Sequence, residues 1–174
     1  SGAGKDTIKK QLLKDTEYRD IVSHTTRPIR SNNGNDEIDG VDYSFISLDK
    51  AEEMLIDRQF IEAKFVHGKV YGTSISQIKQ AHDNDQISIT DIDIEGISEY
   101  KKLSDKVVAV FILPPDYKTW RARFANRYSS ADEFEAEFNK RLPEAIRALE
   151  KALSRPYYHF ILNDDFSNSA RIID

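Results

Sequence analysis

Apolar positions recur along the chain in two periods, and the alternation between the periods predicts the architecture. Ile8, Leu12 and Leu13 share one face of a helix that begins in a run of small residues. Asp20-Ile21-Val22-Ser23 has the short apolar texture of a strand and leads into a polar loop over residues 24–40, rich in Asn, Asp, Gly and Arg. Tyr43, Phe45 and Ile46 mark a second strand, and residues 49–58 suit a short helix. Residues 60–66 and Val70-Tyr71 flank His67-Gly68-Lys69, a hairpin signal. Ser74 fits the N-cap of a helix over residues 74–82, with Ile75 and Ile78 turned inward.

From residue 87 the texture changes. Residues 87–93 read as a strand ending in the carboxylates Asp91 and Asp93, and residues 107–113 are seven consecutive apolar positions. Such a run predicts a strand buried on both faces of a parallel sheet. Helical stretches follow each strand, over residues 94–103 and 116–128. A long amphipathic segment over residues 131–153 carries Phe134, Phe138, Leu142, Ile146 and Leu149 at spacings of four, four, four and three. Residues 159–162 form a last strand before Asn163-Asp164-Asp165. Strands alternating with helices predict an α/β sandwich around a parallel sheet. Between about residues 24 and 82 the pattern is that of a small α+β insertion.

Composition narrows the chemistry. The 174 residues suit one compact domain, and nine Phe with eight Tyr can build its core. No run approaches the roughly 20 apolar residues of a membrane span, so a cytoplasmic protein that binds no membrane is expected. The absence of cysteine excludes disulfide frameworks, thiolate metal sites and cysteine nucleophiles. With 25 Lys+Arg against 30 Asp+Glu the net charge is −5, which argues against a sequence-independent nucleic-acid binder. Chemistry on anions must therefore come from particular cations.

Two segments supply them. Ser1-Gly2-Ala3-Gly4-Lys5-Asp6-Thr7 matches the second half of G-x-x-x-x-G-K-[ST]. In that pattern glycines let backbone N–H groups converge on phosphate, the next helix presents its positive end, and the lysine reaches the outer phosphates. The position after Lys5 is Asp6 where the pattern has Ser or Thr, and Thr7 follows it. Two readings of Asp6 stand: it ligates a Mg²⁺ that offsets its repulsion from the phosphates, or, the reading preferred, it faces outward in the first helical turn while Thr7 supplies the hydroxyl. The second segment, residues 22–30 with residues 39–45, places Arg27, Arg30 and Tyr43 on irregular chain stiffened by Pro28. The planar fork of arginine suits bidentate contact with phosphate.

Taken with Phe60-Ile61-Glu62, Tyr71-Gly72-Thr73-Ser74, residues 91–96 (DIDIEG), residues 112–115 (ILPP), Arg123 and Arg127, Lys140-Arg141-Leu142 and Asn163-Asp164-Asp165, these segments resemble guanylate kinases in order along nearly the whole chain. The resemblance implies a P-loop three-layer α/β sandwich with a parallel sheet. Its core would span residues 1–23 and 83–174, a small α+β GMP-binding insertion about 24–82, and a helical lid about 124–143. It also implies that the chain starts inside the phosphate loop, after the strand and first glycine that would precede it. Ser1, Gly2, Ala3, Gly4, Lys5, Asp6 and Thr7 would cradle the ATP phosphates, with Asn163 at the adenine. Ser23, Glu62, Thr73 and Asp93 would read guanine, and Arg27, Arg30, Tyr43 and Tyr71 would hold the GMP phosphate. Lys5, Arg27, Arg30, Arg127 and Arg141 would stabilise the transferring phosphoryl group, with Thr7 and Asp91 toward Mg²⁺.

The reaction so implied is ATP + GMP → ADP + GDP, with dGMP as a second acceptor, in a monomer with only small-molecule substrates. Two alternatives stand beside it: a catalytically inactive guanylate-kinase-like interaction domain, or a kinase for a different nucleoside monophosphate. An inactive scaffold should have lost phosphate-loop or lid residues, yet Lys5, Arg127 and Arg141 are all present. His24 and His67 read as bystanders, Trp120, Phe124 and Phe138 as helix-packing residues, and Asp93 as a carboxylate that can also cap a helix.

Overall fold

The computed structural model describes residues 2–32, 35–66, 68–82, 86–126 and 128–174. It divides into two compact units. The first comprises residues 1–14, 91–97 and 104–174; the second comprises residues 15–90 and 98–103.

In the first unit, helix α1 (Lys5–Leu12) buries Ile8 and Leu12 and packs against α7 (Phe166–Ile173). Strands β9 (Ala109–Leu113) and β10 (Tyr158–Leu162) pair in parallel, from Ala109 opposite Tyr158 to Leu113 opposite Leu162. Helices α5 (Tyr117–Ala125) and α6 (Ala131–Leu153) join through an aromatic cluster. Phe124 and Phe138 are each 1% exposed there, with Phe134, Trp120, Tyr128 and Leu142 around them. The rings of Trp120 and Phe138 sit 5.0 Å apart and those of Phe134 and Phe138 5.4 Å apart. These offset contacts add to the area buried. Helix α6 starts where Ser130 Oγ accepts the Glu133 N–H at 3.2 Å, and it continues through Pro143.

Strand β9 departs from the expected two-sided burial. Only Ala109 is fully buried, and Val108, just before the strand, is 68% exposed. Among the described residues β9 is hydrogen-bonded to β10 alone. One paired edge leaves the rest of its apolar run half-covered.

The second unit contains residues 24–82, the segment read from the sequence as a small insertion, together with residues on either side of it. A four-stranded sheet runs β5-β2-β7-β6, with β2 (His24–Thr25) antiparallel to β7 (Lys69–Ser74) and parallel to β5 (Ser44–Phe45). Strand β6 (Phe60–Val66) forms the hairpin with β7, with an irregularity between Phe60 and Glu62. Gly72, paired with Ala63 just beyond it, has no room for a side chain: an added Cβ would lie 2.7 Å from the Glu62 carbonyl oxygen. Strands β3 (Ser31–Asn32) and β4 (Asn35–Asp36) form a small antiparallel ladder. Strands β1 (Tyr18–Asp20) and β8 (Ile87–Ile89) pair in parallel, as the strand–helix alternation requires.

Helices α2 (Leu48–Ile56), α3 (Ile75–His82) and α4 (Ile97–Leu103) complete the list of elements. Ser74 Oγ accepts the Gln77 N–H at 3.3 Å and caps α3, as expected. Ile75, expected inward, is 40% exposed because it opens the first turn on the solvent side. The strand expected over residues 20–23 lies earlier, at Tyr18–Asp20, and β8 stops at Ile89, so Asp91 and Asp93 stand beyond its end. Helix α4 begins at Ile97 rather than at residue 94. Asp93 Oδ1 accepts the Glu95 and Gly96 N–H groups at 3.0 and 2.9 Å and turns the chain first.

Candidate active site

The phosphate-loop residues open the first unit. Gly4 adopts φ 87° as the residue before α1, a left-handed conformation that favours glycine. A Cβ there would also overlap the Asn163 side-chain amide. Asn163 is 3% exposed. Its Nδ2 donates to the Ala3 carbonyl at 2.7 Å, Ser169 Oγ donates to its Oδ1 at 3.2 Å, and Arg123 Nη1 donates to its carbonyl at 3.0 Å. The loop is thus tied down from β10 and α5. The resulting cleft, about 340 Å³, is bordered by Gly2, Gly4, Thr7, Arg123, Asn163 and Asp164 among others. The first-turn N–H groups of a helix lack intrahelical partners and favour anions.

Lys5 Nζ lies 2.8 Å from Asp6 Oδ1 and 3.0 Å from Asp91 Oδ1, and Lys9 Nζ is 3.8 Å from Asp91 Oδ2. Burial alone would favour neutral Lys5, but Asp91 and Asp6 outweigh it and hold its pKa above the usual lysine value. Lys5 is therefore a cation at every working pH. The Asp6 side chain is 67% exposed, and Thr7, also exposed, borders the cleft. Thr7 and Asp91 are hard oxygen donors. Among the described residues no group of three His, Cys, Asp or Glu gathers for a metal. Such a sparse oxygen set fits Mg²⁺, which keeps several waters and leans on substrate phosphates.

In the second unit the GMP-phosphate candidates converge on Arg27, which is 8% exposed. Thr25 is fully buried; its Oγ1 donates to the Val70 carbonyl at 3.0 Å and accepts the Arg27 N–H at 3.1 Å. The Arg27 guanidinium donates Nη1 and Nη2 to the two Glu37 oxygens, each at 2.8 Å, and lies 5.3 Å from the centre of the Tyr43 ring. Tyr43 and Tyr71 stand edge to face, 6.0 Å apart. The hydrogen bond from Arg27 holds the Glu37 carboxyl below its ordinary range despite burial. Arg27 Nε is buried without a hydrogen-bond partner among the described residues. Arg30 stands at the margin: its N–H donates to Glu37 Oε2 at 2.9 Å while the residue is exposed.

Ser23, Thr73 and Glu62 form a second constellation on the same sheet. Ser23 Oγ and Thr73 Oγ1 are 3.1 Å apart, and Thr73 Oγ1 donates to Glu62 Oε1 at 3.2 Å. Tyr71 and Thr73 are two apart on β7 and therefore share one face of the strand. Sequence reasoning passed over Thr25, Glu37 and Phe45, whose ring lies 5.8 Å from the Arg27 guanidinium.

The remaining candidates scatter more widely. Asp93 belongs to the first unit and serves as the turn cap described above. Arg141, on α6, is 42% exposed, pairs with Glu137 at 3.3 Å, and lies 5.8 Å from the Phe124 ring centre. Ser1 and Arg127, and the bystander His67, lie outside the described residues. His24 is a packing residue: its Nε2 meets Ser74 Oγ at 3.2 Å, its ring meets Phe60 edge-on, and burial lowers its pKa.

The sequence model of the family described as guanylate kinase matches residues 1–174. The chain belongs to the guanylate kinase family. The guanylate kinase of Clostridioides difficile (strain 630) is 35% identical over 175 residues, covering 100% of this chain and 81% of that protein. That of Thiobacillus denitrificans is 37% identical over 170 residues, covering 97% and 77%. The crystal structure of guanylate kinase from Anaplasma phagocytophilum superposes with a TM-score of 0.72 over 97% of this chain and 77% of that one. At 24% identity that structure speaks for the α/β fold.

Proposed function

We propose that this protein transfers the γ-phosphoryl group of ATP to GMP, and to dGMP as a second acceptor. The observation that carries the reading is the sheet of the second unit. It presents a buried, pre-oriented arginine beside Tyr43 and Tyr71, and on the same strand face a Ser23–Thr73–Glu62 hydrogen-bond chain. The first group suits a phosphate and the second suits a base edge rich in donors.

Each residue then has a task. A Glu62 carboxylate accepts from N1–H and the exocyclic amine of guanine, a pair of donors that adenine lacks on that edge, and Asp93 is assigned to the same base. An unpaired buried acceptor is what disfavours the wrong base. Arg27 and Arg30, with Tyr43 and Tyr71, hold the acceptor phosphate. Glu37 keeps the Arg27 fork in one rotamer before substrate arrives, which lowers the ordering cost of binding. Residues 1–7 cradle ATP, Asn163 keeps that cradle in shape at the adenine end, and Lys5 counters charge on the outer phosphates. Mg²⁺, held by Thr7 and Asp91 when bound, would supply charge neutralisation across the ATP phosphates. In the transfer a terminal phosphorus of ATP loses its bond to the bridging oxygen and gains one to a GMP phosphate oxygen. The protein contributes placement and cationic stabilisation, with Arg127 and Arg141 assigned to the equatorial oxygens.

A panel of GMP, dGMP, AMP and UMP tests this reading. GMP and dGMP are expected to be phosphorylated and the others poorly; equal rates on all four would contradict the roles of Glu62 and Asp93.

A further inference from the structure

The segment over residues 91–96 carries Asp91 and Asp93 but belongs to no strand or helix. Part of what holds it is local: Asp93 Oδ1 accepts the Glu95 and Gly96 N–H groups and closes the turn. The rest comes from the far end of α6. There the Arg155 N–H donates to the Ala152 carbonyl at 3.1 Å and Pro156 follows, so the backbone that carries the Arg155 side chain is itself constrained. Arg155 Nη1 donates to the Ile94 carbonyl at 2.6 Å and to the Tyr157 hydroxyl at 3.2 Å, and Nη2 lies 3.7 Å from Glu95 Oε2. Lys151 Nζ donates to the other Glu95 oxygen.

These contacts are not equal. The Glu95 carboxylate is half-exposed, and ion pairs in such positions contribute little. The bond to Ile94 is charge-assisted, comes from a largely covered side chain, and grips the main chain itself. It fixes the backbone three residues beyond Asp91. Asp91 is where that placement matters, because its Oδ1 lies 3.0 Å from Lys5 Nζ and its Oδ2 3.8 Å from Lys9 Nζ. An ammonium has three donors. With one turned to Asp91 and one to Asp6, Lys5 keeps the third for a phosphate.

We propose that Arg155 is a positioning residue for ATP binding: it clamps the main chain at Ile94 and so keeps Asp91 where it holds Lys5. This inference rests on the reading of Lys5 as the counter-charge to the outer phosphates. With the clamp released, Asp91 no longer has a fixed place and Lys5 must be ordered when ATP arrives. That ordering cost appears as lost affinity.

Arg155→Met keeps the stem and removes every donor, and Arg155→Lys keeps one. Calorimetric titration with ATP in EDTA reads the site without metal. In Arg155→Met the Kd is expected to rise roughly three- to tenfold, the scale of one hydrogen bond, and in Arg155→Lys by less. In an Asp91→Asn background Arg155→Met is expected to add less than about twofold, since its effect runs through Asp91. The full rise in that background, an unchanged Kd in both Arg155 variants, or a lowered melting temperature with Kd intact would overturn the inference. A rise confined to the KM for GMP would overturn it too, by tying the clamp to Asp93 instead. If Arg155→Met does not fold, the Arg155→Lys titration decides on the same terms. If Lys5→Ala weakens ATP binding and the Arg155 variants do not, the inference alone fails. If Lys5→Ala leaves ATP binding unchanged, the reading of Lys5 fails and takes the inference with it.

Discussion

At the residue scale, Arg27 is the position where chemistry and structure meet most tightly. Its guanidinium is fixed by both Glu37 oxygens and lies beside two aromatic rings. Lysine keeps the charge but cannot make the fork or the stacking contact. Arg27→Lys is expected to raise the KM for GMP roughly ten- to a hundredfold, the scale of a lost charge-assisted hydrogen bond, with the KM for ATP unchanged. Glu37 ties the same pair to acid stability. Its folded-state pKa lies below the ordinary 4.5, chiefly through the Arg27 hydrogen bond. Between the two values the unfolded chain binds more protons, so stability rises with pH there. The contribution is complete above about 4.5 and is lost as pH falls through the depressed value. Urea titrations between pH 3 and 6 are expected to show that acid-side loss in the wild type and a flatter dependence in Glu37→Gln. Arg27 stood out in the sequence as a candidate cation from its segment. Glu37 did not, because ten positions separate the pair and only the short β3–β4 ladder between them brings the two together.

At the element scale, α6 shows which local signals win. Its bounds, Ala131–Leu153, coincide with the segment expected from its apolar spacing, even though Pro143 removes one backbone donor inside it. The apolar stripe of Phe134, Phe138 and Leu142 buries against α5 and overrides the interruption. Phe138→Ala is therefore expected to cost about 3–5 kcal/mol in chemical denaturation, as aromatic core truncations do. The short strands were harder to bound. Tyr18–Asp20 and Ile87–Ile89 have three residues each, and their ends are set by where the parallel ladder stops rather than by residue type. For β9, seven apolar residues implied two-sided burial, but hydropathy cannot say how many neighbours a strand acquires.

At the scale of the whole molecule, a net charge of −5 hides the feature that matters. In the first unit Lys5 stands among carboxylates beside the cleft, and in the second Arg27 is buried against Glu37. Each cation is already balanced locally, so the average could be acidic without excluding phosphate ligands. The α/β class was legible because helix and strand periods differ so sharply. The hydrogen-bond chain around Thr73 was not, since Ser23, Thr73 and Glu62 meet only through folding. Among the described residues no helix is long and apolar enough to cross a membrane. The most direct measurement is ADP release from ATP and Mg²⁺, followed by a coupled assay with and without GMP. Release that depends on GMP, saturates with it and forms GDP in equal amount is the expected result. ATP turnover unaffected by GMP, or none at all from folded protein, would contradict the assignment.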